Sequence, residues 1–106
     1  MQKYPVRASA RAQLTEARLI ELCRRHFEGG ALSDGRVEAR YGALARLAAR
    51  VDGKELAVEV TMDPSVPGDV AQETIRRYNR FLEEATGYTT KERAARLKKS
   101  TAKAGA

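Results

Sequence analysis

Two alternating apolar and polar runs, residues 45–51 and 54–61, flank the dipeptide Asp52-Gly53. An Asp-Gly pair between such runs is a strong signal for a two-residue β-hairpin. With Asp52 and Gly53 as the loop, Val51 faces Lys54, Ala49 faces Leu56, Leu47 faces Val58 and Ala45 faces Val60. On the other side Arg50 meets Glu55 and Arg46 meets Glu59. A slip of one residue would turn these charges into the core, so the alternation restricts the pairing strongly. The Ala-rich stretch "ALARLAAR" also fits a helix over 43–50, but the turn and the charge match favour a strand.

The flanking segments add to this hairpin. Residues 36–41, "RVEARY", alternate and predict a preceding strand, joined near Gly42 through a bulge or longer loop because a tight turn would mismatch the faces. Residues 2–8 alternate weakly, and Pro5, which has no N–H, places that strand at an edge. A helix is predicted over 15–28, with Thr15 as N-cap, Leu14 stapled onto Leu19, and Gly29-Gly30 as its stop. "EGGALSDG", residues 28–35, reads as a turn. A second helix starts at an Asp69/Gln72 capping box, carries Ala71, Ile75, Tyr78, Leu82 and Ala85 on one seam widened by Thr74 and Phe81, and stops at Gly87. Thr89 and Glu92 open a third helix at about 90–99, whose only apolar residues are Ala94, Ala95 and Leu97, so it is expected to be exposed and frayed at its end.

The resulting order is β-α-β-β-β-α-α. It predicts an α+β two-layer sandwich: an antiparallel sheet of about four strands, two helices on one face and a short C-terminal third helix. Residues 1–87 form the single domain, and 88–106 a basic C-terminal helix and disordered tail. With no Trp, the core rests on Leu19, Ile20, Leu22, Phe27, Leu47, Leu56, Val58, Val60, Ile75, Tyr78, Phe81 and Leu82.

The net charge of +6 is unevenly spread. Residues 1–11 carry +3 and residues 87–106 carry +5, whereas the middle is mildly acidic at −2. Basic ends suit nucleic acid or an acidic protein partner, and they also serve as solubilising tails. The lone Cys23 forms no internal disulfide, which fits a reducing compartment. The N-terminus lacks the apolar run of a signal peptide, and no segment approaches membrane-spanning length. These features predict a cytoplasmic protein without membrane contact.

Chemistry-bearing constellations are sparse. Cys23 and His26 lie on one predicted helix, but no second His or Cys completes a metal set and no orienting group marks a nucleophile. A packed histidine on an apolar stripe is the simpler reading. Residues 28–35 lack the Lys-Ser/Thr of a phosphate loop. Asp63, Ser65 and Asp69 are explained by turn and cap chemistry. The outer sheet face, with Arg36, Glu38, Arg40, Arg46, Ala48, Arg50, Glu55, Ala57 and Glu59, has no aromatics for stacking bases and nearly cancels in charge. No catalytic residue, metal ligand or cofactor is assigned.

"ETIRRYNRFLEEATGYTTKERAARLKK" (73–99), together with "KYPV" near the start and "DPSV" before the helix, resembles a small uncharacterised archaeal protein family. The resemblance covers nearly the whole chain and implies a two-layer α/β sandwich with no established function.

Two readings of function follow, with an enzyme a distant third. One is a non-enzymatic domain that binds nucleic acid or a ribonucleoprotein through Lys91, Arg93, Arg96, Lys98 and Lys99. The other is a protein-interaction or oligomeric module that uses the alanine-lined sheet face or the first-strand edge. The sequence leaves the oligomeric state open.

Overall fold

The computed structural model describes residues 2–96. Strand β1 (Gln2–Pro5) leads through a single-turn helix α1 (Ala8–Arg11) to α2 (Glu16–His26). Four consecutive strands follow: β2 (Glu28–Ser33), β3 (Arg36–Tyr41), β4 (Leu44–Asp52) and β5 (Glu55–Met62). Helix α3 (Gly68–Thr86) and a further helix, α4, which occupies residues 90–96 of the described chain, complete the fold. The sheet is wholly antiparallel with order β1-β5-β4-β3-β2, so it has five strands where about four were expected.

The fifth strand is β2, in the segment that reads as a turn. Helix α2 ends at His26, and Phe27 is already extended, so Gly29 and Gly30 sit inside a strand, at a bulge. The strand passes close over α2: a Cβ on Gly30 would lie 2.7 Å from Arg24 Cγ, and Arg24 Nε donates to the Gly30 carbonyl. Asp34 and Gly35, both at positive φ, then turn the chain into β3 as a two-residue hairpin.

The central hairpin forms, but its loop is Gly53-Lys54, because Asp52 pairs with Glu55. Gly53 has φ +61, and Asp34 is the only described non-glycine residue with positive φ, so the glycine takes the first loop position as in type II′ turns. Each residue therefore pairs two positions further on than expected: Val51 with Leu56, Ala49 with Val58 and Leu47 with Val60. A shift of two preserves the faces of residues 46–60, but it undoes the expected charge pairs, and the bulge leaves Ala45, expected opposite Val60, exposed while Leu44 turns into the core. Arg46 instead reaches Glu38 on β3 (2.6 Å), and Glu59 pairs with Arg36 (3.4 Å). The β3–β4 turn is a two-residue loop, Gly42-Ala43, and the expected bulge lies beside it.

Inward-facing Val37, Ala39, Leu47, Ala49, Leu56 and Val58 form one side of the core. Leu19, Leu22 and Cys23 of α2, Phe27 just after it, and Phe81, Leu82 and Ala85 of α3 form the other. Phe27 and Phe81 pack with their rings tilted and ring centroids 5.2 Å apart. Leu14 is buried beside the α2 N-terminus, where the Thr15 hydroxyl accepts from the Arg18 N–H. The expected Asp69 cap does not form: α3 begins two residues earlier, with Pro67 at its cap and Asp69 in the first turn. Gly87 closes α3 in the left-handed region, and the Thr89/Glu92 capping box forms in both directions.

On the outer face, Ala48 and Ala57 are fully buried beneath their charged neighbours, so the alanines offer no opening. Lys3 joins Asp52 across that face at 3.0 Å. Hydrogen bonds and neighbouring cations hold four carboxylates below their ordinary values: Arg46 for Glu38, Lys3 for Asp52, Ser65 for Asp63, and the Thr89 backbone for Glu92. Groups depressed in the folded state contribute stability that is full above their unfolded pKa and is lost as pH falls through the folded value. In low salt the thermal midpoint should therefore drop as pH is lowered below about 4, and less steeply in 1 M salt. A midpoint that holds or rises between pH 4 and 2.5 would show that these contacts do not support the fold.

Candidate functional site

Strand β5 is longer than its neighbour. β1 pairs with it only from Glu55 to Val58, and Glu59, Val60, Thr61 and Met62 are all exposed. The main-chain directions follow from two hydrogen bonds. The Lys54 carbonyl accepts from Val6 on the β1 side, whereas the Asp63 N–H donates to Ala43 on the β4 side. Successive residues of a strand alternate, so the N–H and C=O of Val60 and Met62 point to the open edge. Among the described residues no strand pairs there.

Beside this edge lies an apolar groove of about 360 Å³, lined by Tyr4, Leu44, Val60, Met62, Thr74, Ile75 and Tyr78. Val60 and Ile75, expected in the core, are 40% and 52% exposed, and Met62 is 43% exposed. Helix α3 is rolled so that Thr74 and Phe81 lie at the centre of its buried stripe, which moves Ile75 outward. Thr74 is the polar support of the groove wall: its hydroxyl accepts from the Ala43 N–H (3.0 Å) and donates to the Val70 carbonyl (2.7 Å). Burial raises the Tyr78 phenol well above its ordinary pKa, and the adjacent Tyr4 hydroxyl adds to the effect. Exposed contiguous apolar surface of this kind marks contact sites. Alternation and helical spacing mark Val60 and Ile75 as apolar, but neither reports how far β1 extends.

The basic C-terminal residues are placed differently from one another. Lys91 is exposed. Arg93 is 3% exposed. Its guanidinium donates to the Tyr88 carbonyl (2.7 Å), Thr90 Oγ1 (3.0 Å) and Asn79 Oδ1 (3.4 Å). These contacts engage it within the domain. Arg96 and Arg7 both stack over the buried Tyr88 ring, at 4.3 and 4.9 Å, and Arg7 pairs with Glu92 at 2.8 Å. Residues 88–96 are thereby tied to the body of the domain. Lys98 and Lys99 lie outside the described residues.

The remaining candidates resolve into structural roles. Cys23 is buried, and desolvation pushes its thiol up to about 12, so the thiolate is scarce near neutral pH. His26 Nε2 lies 3.1 Å from Glu84 Oε1 but is buried without a hydrogen-bond partner, whereas Arg25 joins α2 to α3 by holding the other carboxylate oxygen at 2.9 Å. Asp63 accepts from both the N–H and the hydroxyl of Ser65, closing the loop before α3. Among the described residues no helix is long and apolar enough to cross a membrane.

The fold is shared with a hypothetical protein, TA0095 from Thermoplasma acidophilum, whose solution structure was determined by NMR. The TM-score is 0.65 at 22% identity, over 92% of this chain and 97% of that one. No curated protein matches the sequence. The expected kinship with an uncharacterised family is met, since the profile of one fits residues 1–99. The chain belongs to DUF5611, a domain of unknown function.

Proposed function

We propose that the protein is a protein-interaction module whose contact surface is the open half of β5 and the groove beside it. The observation that carries this reading is the coincidence of exposed Val60, Met62 and Ile75 with the main-chain edge of the same strand. Strand addition uses this combination: backbone groups supply affinity, and alternate side chains supply specificity. The outer sheet face is the weaker candidate, because ion pairs cover its alanines. A nucleic-acid reading loses the support of Arg93, which is engaged within the domain, and keeps the exposed Lys91 and Arg96 among the described residues.

Selecting a displayed library of random peptides on the wild-type protein, with counter-selection on Ile75→Glu, tests the proposal. Peptides with alternating apolar residues should enrich and lose at least tenfold in affinity for the variant. A parallel titration with generic RNA and DNA at two salt concentrations should show no salt-sensitive affinity near physiological ionic strength. Peptides indifferent to Ile75→Glu, or polynucleotide binding with a steep salt slope, would overturn the reading.

A further inference from the structure

The chain carries the dipeptide Asp-Gly twice, at 34–35 and 52–53, and the fold gives the two copies different surroundings. Asp52 is the last residue of β4 and pairs with Glu55 of β5, so it belongs to two inner strands of the sheet. Lys3 holds the Asp52 carboxylate at 3.0 Å and keeps it ionised by lowering its pKa. Asp34 is a loop residue beyond the last β2–β3 pair, Ser33 with Arg36; it is exposed and takes φ +51. A positive φ suits glycine better than a residue with a Cβ, so leaving this turn conformation relieves strain. Among the described residues no cation lies within ion-pair distance of Asp34. β2 is an outer strand interrupted at Gly29/Ala31, and Leu32 near its end is 49% exposed. A hairpin there opens at lower cost than one at the centre of the sheet. Gly35 and Gly53 are equally accessible, since a Cβ on either would meet nothing within 4 Å, so the difference lies in the two aspartates.

We infer that Asp34 is a site of spontaneous isomerisation to isoaspartate, and that Asp52 is protected from the same reaction. The Gly35 nitrogen attacks Cγ of the Asp34 carboxyl in its protonated form. A C–N bond forms, the bond from Cγ to the hydroxyl oxygen breaks, and the hydroxyl leaves with the amide proton as water. A water molecule then opens the five-membered imide. Opening at Cγ restores aspartate. Opening at the Asp34 main-chain carbonyl leaves the nitrogen on Cγ and routes the main chain through Cβ and Cγ. One water is released and one consumed, so the mass is unchanged and no oxidant or reductant is needed. At Asp52 the carboxylate held by Lys3 is a poor electrophile, and the paired backbone resists the rotation that brings the Gly53 nitrogen to Cγ. The product lengthens the main chain of a two-residue loop by one atom, which loosens the closing pair of Ser33 with Arg36.

Incubation of the full chain at mildly acidic pH, followed by peptide mapping, tests this assignment. An isoaspartyl peptide has the mass of its parent, elutes separately and resists a protease that cleaves before aspartate. In the folded chain the peptide spanning Asp34 should accumulate isoaspartate at least about fivefold faster than the peptide spanning Asp52. In denaturant both sites lose their surroundings, and the two rates should come within about twofold of each other. Lys3→Gln should speed the reaction at Asp52 and leave the rate at Asp34 unchanged. Equal rates in the folded chain, a faster Asp52, or a ratio that survives denaturation would overturn the inference. So would isoaspartate at neither site over the time in which the denatured chain forms it. An Asp52 rate that Lys3→Gln does not raise would overturn the part assigned to Lys3.

Discussion

Replacing Gly42 by Ala should cost about 2–5 kcal/mol of stability, about twice the effect of the same change at Gly35 or Gly53. All three glycines sit at positive φ (51°, 75° and 61°), where a Cβ costs about 1–2 kcal/mol. At Gly35 and Gly53 that is the whole effect, because an added Cβ meets nothing within 4 Å. At Gly42 it would lie 2.5 Å from Thr74 Oγ1 and 3.3 Å from Val70 Cγ1. The Thr74 hydroxyl is fully buried and cannot step aside freely, since it accepts from the Ala43 N–H and donates to the Val70 carbonyl. Either α3 shifts as a body or the Ala43 N–H loses its partner, and each adds about 1–3 kcal/mol. Denaturant midpoints of the three variants, compared at equal slope, decide the matter. Equal losses would mean that the contact between the β3–β4 turn and α3 relaxes without cost.

That contact also explains which parts of the fold are legible in the sequence. Alternation and the Asp-Gly turn place β4 and β5 and assign the faces of residues 46–60 correctly, because the alternation has period two, but they miss the bulge that turns Leu44 inward and Ala45 outward. The register is a finer matter: loops at 52–53 and 53–54 leave identical faces, and only the conformation of Gly53 separates them. β2 is hidden because paired glycines read as a helix stop, although Asp34-Gly35 carries the same hairpin signal as Asp52-Gly53. The groove is hidden for another reason. Val60 and Ile75 are as apolar as true core residues; among the described residues β1 pairs with β5 only as far as Val58, and the roll of α3 that buries the Thr74 hydroxyl turns Ile75 outward. These are tertiary facts with no local signature. The capping box at Thr89 is local, and it reads correctly.

Arg93 marks the boundary between local and tertiary information, and Arg93→Met should lower stability by about 2–3 kcal/mol. A string of cations at 91, 93, 96, 98 and 99 reads as one basic surface, but the packed helix gives its members different tasks. Methionine keeps most of the buried stem while removing the donors to the Tyr88 carbonyl, Thr90 and Asn79. Hydrogen bonds to a charged group contribute about 1.5–3 kcal/mol, and the buried carbonyl left behind adds a penalty. Against this stands relief from holding a charge out of water, the effect that also lowers the Arg93 pKa. The balance stays unfavourable because the vacated acceptors have no other donor among the described side chains. Arg96→Ala, which loses one stacking contact on Tyr88, should cost about 0.5–1 kcal/mol. Lys91→Ala should change stability by less than about 0.5 kcal/mol. The three thermal midpoints therefore separate the two views of this segment. If α4 is part of the domain, the loss falls at 93 and fades outward. If the segment is a phosphate-binding arm, all three variants keep their midpoints and share a uniform loss of affinity for polynucleotide.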